Sequence, residues 1–212
     1  MKWLVLACRT LLAAALLASV SAFGAVLDRD YVLISPPQPV DSPRKVEVVE
    51  VFSYACPHCS ALAPLIEPWA RKLPSNVVYK RIPVSFGRGQ WTVLAKAYYA
   101  LEVMNDADRL QEKIFTAVHT EHVNLFSQDV LFDWIEKQGV NRQKFISAFN
   151  SFAVQSMVLR GDQRAMAYGV DSVPTVIVDG KYRTSPTMAG SPEAMFSVLN
   201  ELIQQALRDH KL

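Results

Sequence analysis

The sequence predicts an α/β domain interrupted by an all-helical insertion. Three observations carry this reading. Short β-branched apolar runs occur at 46–52, 77–84 and 175–178. Between the second and third lies a long stretch, from Trp91 to about Tyr168, whose apolar residues recur at three- and four-residue steps with no strand signal. Finally, two cysteines three positions apart, Cys56 and Cys59, stand where the first run gives way to a helix.

Each element follows from local chemistry. Val-Glu-Val-Val-Glu-Val-Phe at 46–52 reads as a buried strand, and the segment after Cys56 reads as a helix through Ala61, Leu62, Leu65, Ile66 and Trp69 despite Pro64 and Pro68. Lys72-Leu73-Pro74-Ser75-Asn76 marks a turn into the second strand. The helical block carries stripes at Leu94, Ala97, Tyr98 and Leu101, then Leu110, Ile114, Phe115 and Val118, then Leu131, Trp134 and Ile135, then Phe145, Ala148 and Phe149. A longer stripe runs through Val154, Met157, Val158, Gly161, Ala165 and Tyr168, so four or five helices are expected. Thr175-Val176-Ile177-Val178 restores strand character, Asp179-Gly180 signals a hairpin, and 181–184 returns. Ser191 as N-cap and Pro192 at N1 open a last helix whose apolar face is Met195, Val198, Leu199, Leu202, Ile203 and Ala206.

The first residues have the pattern of a secretory leader: Lys2 and Arg9, the apolar stretch Leu11 to Ala18, and Val20-Ser21-Ala22 as a cleavage box, with Gly24 and Ala25 as alternative cleavage points. Arg9 interrupts the stretch that a retained membrane span of about 20 apolar residues needs. Val5-Leu6-Ala7-Cys8 resembles a lipoprotein box only faintly, because no sufficient apolar region precedes it. Of 22 basic and 20 acidic residues, Lys2 and Arg9 leave with the leader, and the remainder balances at 20 and 20. Without a basic run, nothing in the charge pattern calls for nucleic acid or an anionic membrane.

Losing Cys8 with the leader leaves only Cys56 and Cys59 in an exported chain. A scaffold of structural disulfides closes long loops, whereas a pair separated by two residues closes almost none, so the value of this bond is chemical. In the first turn of a helix the Cys56 sulfur meets free backbone N–H groups and the positive end of the dipole. Both lower its pKa and make the disulfide easier to reduce, hence more oxidising toward others. Covalent haem attachment would require His at position 60, which is Ser. Zinc would need further ligands, and His119 with His122 are too closely spaced and too far along the chain; they read as polar residues of an exposed helix face or loop. No metal and no cofactor are expected.

Val173-Pro174, directly before the third strand, is the second informative site, because proline has no ladder hydrogen bond to give and tolerates a cis bond. Together, Phe52-Ser53-Tyr54-Ala55-Cys56-Pro57-His58-Cys59, the downstream Val173-Pro174-Thr175 and the intervening helices resemble the DsbA family of periplasmic thiol:disulfide oxidoreductases over essentially the whole exported chain. In that family the nucleophilic cysteine has a strongly lowered pKa and the couple is oxidising, the direction that the position of Cys56 at a helix N-terminus also implies.

The resemblance implies a thioredoxin-like fold with an inserted all-helical domain. The chain then divides into a leader (1–22), a first thioredoxin-like part (23–86), the insertion (87–160) and a second thioredoxin-like part (161–212). It also implies a Cys56–Cys59 redox-active disulfide within the Cys56-Pro57-His58-Cys59 site. Cys56 is the exposed nucleophile, Cys59 the deeper resolving thiol, and His58 a donor to the Cys56 thiolate. Glu50 matches the family's buried acid, exchanging protons with Cys59, with Lys80 or Arg81 as basic partner. Pro174 is cis, with Val173 offering backbone pairing to an extended substrate. The implied activity is a periplasmic oxidase that gives its disulfide to newly exported proteins with free thiols and is reoxidised by a membrane partner of the DsbB type; a monomer is expected. The alternatives are a disulfide isomerase or reductase, for which the roughly 20 residues before the first strand leave no room for a dimerisation domain, and a non-catalytic chaperone binding extended chains. The aromatic and Met residues of the helical block, Trp91, Trp134, Phe145 and Phe149 among them, read as core.

Overall fold

The computed structural model describes residues 24–211. The leader expected at 1–22, with Cys8, lies outside the described residues.

Five strands form one mixed sheet. β1 (Val32–Leu33), β2 (Val46–Phe52), β3 (Val77–Pro83), β4 (Thr175–Val178) and β5 (Tyr182–Thr184) lie in the order β1-β5-β4-β2-β3. β2 pairs with β3 in parallel, from Val46 beside Val77 to Phe52 beside Pro83, and with β4 antiparallel, Glu50 opposite Val176. The parallel pair is joined by a helix, α1 (Pro57–Ala70), as a parallel connection requires. β4 and β5 form the expected hairpin, with Asp179 and Gly180 at φ of 56° and 63°.

Between β3 and β4 the chain builds α2 (Gly89–Val103), α3 (Ala107–His119), α4 (Gln128–Lys137), α5 (Arg142–Phe149) and α6 (Phe152–Ala167). The fold is thus a thioredoxin fold with an inserted helical domain. A short α7 (Pro186–Ala189) and the long α8 (Pro192–His210) close the chain, with Ser191 capping α8 by accepting from the Ala194 N–H. Pro64 and Pro68 stay inside an unbroken α1, both on its exposed side.

Two cores meet at this sheet. On one face, Val46 and Val48 of β2 pack with Leu62 and Ile66 of α1 and with Met195, Leu199 and Ile203 of α8. On the other, Val49 and Val51 meet Ala165 and Tyr168 from the end of α6. The helical block has its own core of Leu94, Leu101, Leu110, Ile114, Leu131, Phe145 and Phe149. α6 serves both, since Val154 and Val158 sit in the helical core and Ala165 in the sheet core. The boundary expected at Gly161 falls inside this continuous helix. Glycine there makes room rather than a break: a Cβ would stand 2.6 Å from the Tyr99 hydroxyl and 3.3 Å from Ile82 Cγ2. Covering both faces of β2 is what buries all seven of its residues, two glutamates included.

Candidate active site

β2 delivers the chain into the loop Ser53 to Ala55, and Cys56 follows as the N-cap of α1 with extended backbone (φ −91°, ψ 119°). Pro57 occupies N1, where its fixed φ suits a first turn and its missing N–H leaves nothing unsatisfied. The helix closes its first bond from the Ser60 N–H to the Cys56 carbonyl at 3.1 Å, so the amides of His58 and Cys59 stay free to point at sulfur.

Both thiols are free in this structure. Cys56, expected to be exposed, is buried with only 6% of its surface left beneath the Val173–Pro174 loop, though still more accessible than Cys59, which keeps none. The Cys56 thiol is pulled down to about 5, first by a hydrogen bond from the Cys59 thiol, then by the backbone N–H groups of Cys59 and His58 and by the His58 side chain, all against the opposing effect of burial. Burial pushes the Cys59 thiol far up, and the Cys56 sulfur and Glu50 carboxylate add to the effect. Two cysteines one helical turn apart are thereby separated into a ready thiolate and a held thiol. His58 is exposed.

The Val173–Pro174 bond is cis, and in its thiol form Cys56 donates to the Val173 carbonyl at 3.4 Å across 117 positions of sequence. Pro174 is buried and Val173 half-buried. Beside them opens a cavity of about 730 Å³ whose lining includes His58, Leu62, Val173, Pro174, Pro186 and Met188. Tyr54 turns inward, 1% exposed. It packs edge-on to Phe52 and Phe115 and donates its hydroxyl to Gln111.

Glu50 lies beneath, 2% exposed. It shares the alternation of Val46 and Val48, so it faces α1 rather than solvent. Burial lifts its carboxyl to about 7, against the Tyr79 hydroxyl and the Arg81 charge, which favour the ionised form. Of the two candidate bases, Arg81 faces it, with Nε 3.9 Å from Oε2. The pleat decides this: Arg81 is in register with Glu50, whereas Lys80 sits beside Val49 on the opposite face and pairs with buried Glu47 at 2.5 Å. The rest of this buried network is not evident from sequence alone. Tyr79 donates to Glu50, and Arg81 is held by Glu67 of α1 and by Asp108 of α3, the latter at 2.7 Å. The parallel register of β2 and β3 is what brings Tyr79 and Arg81 to the face of Glu50.

His119 differs from the exposed position expected for it. It is half-buried at the end of α3, stacks on Phe115 and donates Nε2–H to the Tyr54 carbonyl at 2.8 Å, while His122 is exposed. Among the described residues, no cluster of three or more His, Cys, Asp or Glu side chains could hold a metal ion, and no helix is long and apolar enough to cross a membrane.

Comparison with known proteins agrees with this arrangement. A family model described as DSBA-like thioredoxin domain matches residues 47–199. The thiol:disulfide interchange protein DsbA of Bordetella bronchiseptica is 43% identical over 201 residues, covering 92% of this chain and 95% of its own. DsbA of Pseudomonas aeruginosa is 40% identical over 204 residues, covering 93% and 96%. The crystal structure of the P. aeruginosa protein superposes with a TM-score of 0.84 at 39% identity, covering 88% of this chain and 97% of that one. That of reduced DsbA1 from Neisseria meningitidis gives 0.79 at 25% identity, covering 89% and 98%.

Proposed function

The chain belongs to the DsbA-like thioredoxin family, and from that premise we propose that it donates a Cys56–Cys59 disulfide to newly exported proteins in the periplasm. It is a thiol:disulfide oxidoreductase. The observation that supports the finer reading is the splitting of the two thiols, Cys56 drawn down to about 5 and Cys59 pushed far above its ordinary value.

The reaction runs in two exchanges. A substrate thiolate attacks the Cys56 sulfur of the oxidised enzyme, a mixed disulfide forms, and Cys59 leaves and takes a proton, for which Glu50, titrating near 7, is the adjacent donor. A second substrate thiolate then attacks the substrate sulfur of the mixed disulfide and expels Cys56 as a thiolate. The enzyme gains two electrons and the substrate dithiol loses two, becoming a disulfide. Because the low pKa of Cys56 makes it a good leaving group, the second exchange runs toward release of oxidised substrate. His58 adds a hydrogen bond to the departing thiolate. Val173, half-buried beside the cavity, offers its backbone to an extended substrate segment, and Pro174 holds that loop against the sulfur.

Return to the disulfide form requires an oxidant, and a membrane reoxidase of the DsbB type fits the family. The leader pattern of residues 1–22 supports export, and the paired cysteines support an oxidising compartment. The test is oxidation of a reduced, unfolded secretory protein by stoichiometric oxidised enzyme, followed by thiol titration. Two substrate thiols are expected to vanish per enzyme, and none with Cys56→Ser. No loss of substrate thiols with the unsubstituted oxidised protein would identify a binding protein instead, and equal loss with Cys56→Ser would show that the Cys56–Cys59 disulfide is not the oxidant.

A further inference from the structure

The Glu50 carboxylate has one hydrogen-bond partner among the described residues, and it is not the arginine. Arg81 Nε stands 3.9 Å from Oε2 and makes no hydrogen bond at all, although it is buried. Its terminal nitrogens are given to Glu67 and Asp108, two carboxylates for one guanidinium. What touches Glu50 is the Tyr79 hydroxyl, which donates to Oε2 from the neighbouring strand. The Tyr79 ring lies under the guanidinium, 5.1 Å from ring centroid to Cζ, so one side chain seats both charged groups.

We propose that Tyr79 is a positioning residue for return of the dithiol to the disulfide, holding Glu50 in the ionised form that accepts the Cys59 proton when Cys59 resolves a mixed disulfide, the reverse of the proton donation above, and that Glu67 opposes it by occupying Arg81. The inference rests on the assignment of Glu50 as the proton partner of Cys59. The groups that face Glu50 are Tyr79 and Arg81 from β3, Cys59 and Glu67 from α1, and Tyr54 from the loop after β2, while β4 brings only Val176 opposite. Tyr79 and Arg81 favour the carboxylate, whereas burial and Glu67 disfavour it. Removing the tyrosine hydroxyl therefore moves the titration of Glu50 up, and neutralising Glu67 moves it down.

The step that reports this is resolution of a mixed disulfide. The Cys56 thiolate of the reduced protein attacks oxidised glutathione, forming the protein–glutathione disulfide and releasing one glutathione thiolate. Cys59 then gives its proton to the Glu50 carboxylate and attacks Cys56 Sγ, expelling the second glutathione. The protein loses two electrons and glutathione disulfide gains them. Acid quench and mass measurement between pH 5 and 9 separate the two rates.

Tyr79→Phe keeps the ring under Arg81 and deletes only the donor. A lost hydrogen bond to a charged group should raise the inflection of the resolution step by about one pH unit and slow it about fivefold at pH 7. Mixed-disulfide formation, governed by Cys56, should stay within about twofold. Glu67→Gln should move the same inflection down. An unchanged inflection in Tyr79→Phe, or the same shift in both variants, overturns the proposal. Glu50→Gln separates the two layers: if it leaves the resolution profile intact, the role of Glu50 itself is wrong, and if it abolishes the inflection while Tyr79→Phe leaves it in place, only the role of Tyr79 is.

Discussion

Replacing Glu50 by Gln should stabilise the reduced protein, by nothing below about pH 4.5 and by a margin that grows until pH passes about 7. The fully buried carboxyl titrates near 7 instead of its ordinary 4.5, with burial as the main cause. Between those values the native protein must hold a proton that the unfolded chain releases, so stability falls as pH rises through that window. Below pH 4.5 both states carry the protonated acid and nothing is lost. Above pH 7 the full penalty for a buried carboxylate is present, about 3 kcal/mol at ~1.4 kcal/mol per pH unit. Glutamine has nearly the same shape and still offers an oxygen to the Tyr79 hydroxyl, but never ionises. Urea denaturation of both proteins in reductant, at steps from pH 4 to 8.5, isolates this one titration, because the other groups are common to both. The variant should match the parent within about 1 kcal/mol at pH 4 and exceed it by about 3 kcal/mol at pH 8.5. A difference that is flat with pH would refute the reasoning, showing that the Arg81 network supports the charge rather than merely tolerating it.

Two further outcomes follow. His58→Ala removes one side-chain hydrogen bond to the Cys56 thiolate at an exposed position, so the couple should become more reducing by about 30 mV, measured against glutathione; no change would remove His58 from the mechanism. Gly180 and Gly190 both have positive φ, but a Cβ on Gly180 would stand 2.2 Å from the Gln38 carbonyl oxygen while one on Gly190 would meet nothing. Alanine at 190 should therefore lower stability by about 1 kcal/mol and alanine at 180 by at least about 2 kcal/mol more in urea titrations. Equal losses would mean that backbone strain alone matters.

What was legible in the sequence was local. β2 and β4 announce themselves by β-branched runs, α8 by Ser191-Pro192 and its apolar stripe, and the hairpin by Asp179-Gly180. Cys56 and Cys59 needed only their place at a strand-to-helix junction. What was not legible depends on register or on distance. β1, two residues long, exists because Val32 and Leu33 pair with Arg183 and Tyr182 some 150 positions away, and α7 is too short to show a period. Glu47 and Glu50 interrupt an apolar run in a way that suggests solvent. They fall instead on opposite faces of a strand covered on both, each with its own cation. Choosing Arg81 over Lys80 and finding Tyr79 required the alignment of β2 against β3, which no single segment encodes. The contact of His119 with Tyr54 likewise depends on how the helical block docks, because α3 must swing its last turn against the loop before Cys56.

The central claim is that the fold stabilises the dithiol by holding Cys56 as a thiolate, which makes the disulfide a donor. The most direct test is the equilibrium of the Cys56–Cys59 pair with a glutathione redox series, read by alkylation mass shift. A potential clearly more oxidising than that of thioredoxin, about −270 mV at neutral pH, is expected, with the gap narrowing as pH falls from about 7 toward 5 and staying constant once Cys56 has taken up its proton. A potential near thioredoxin's, running parallel to it through that acidic range, would contradict it and mark the protein as a reductant or isomerase.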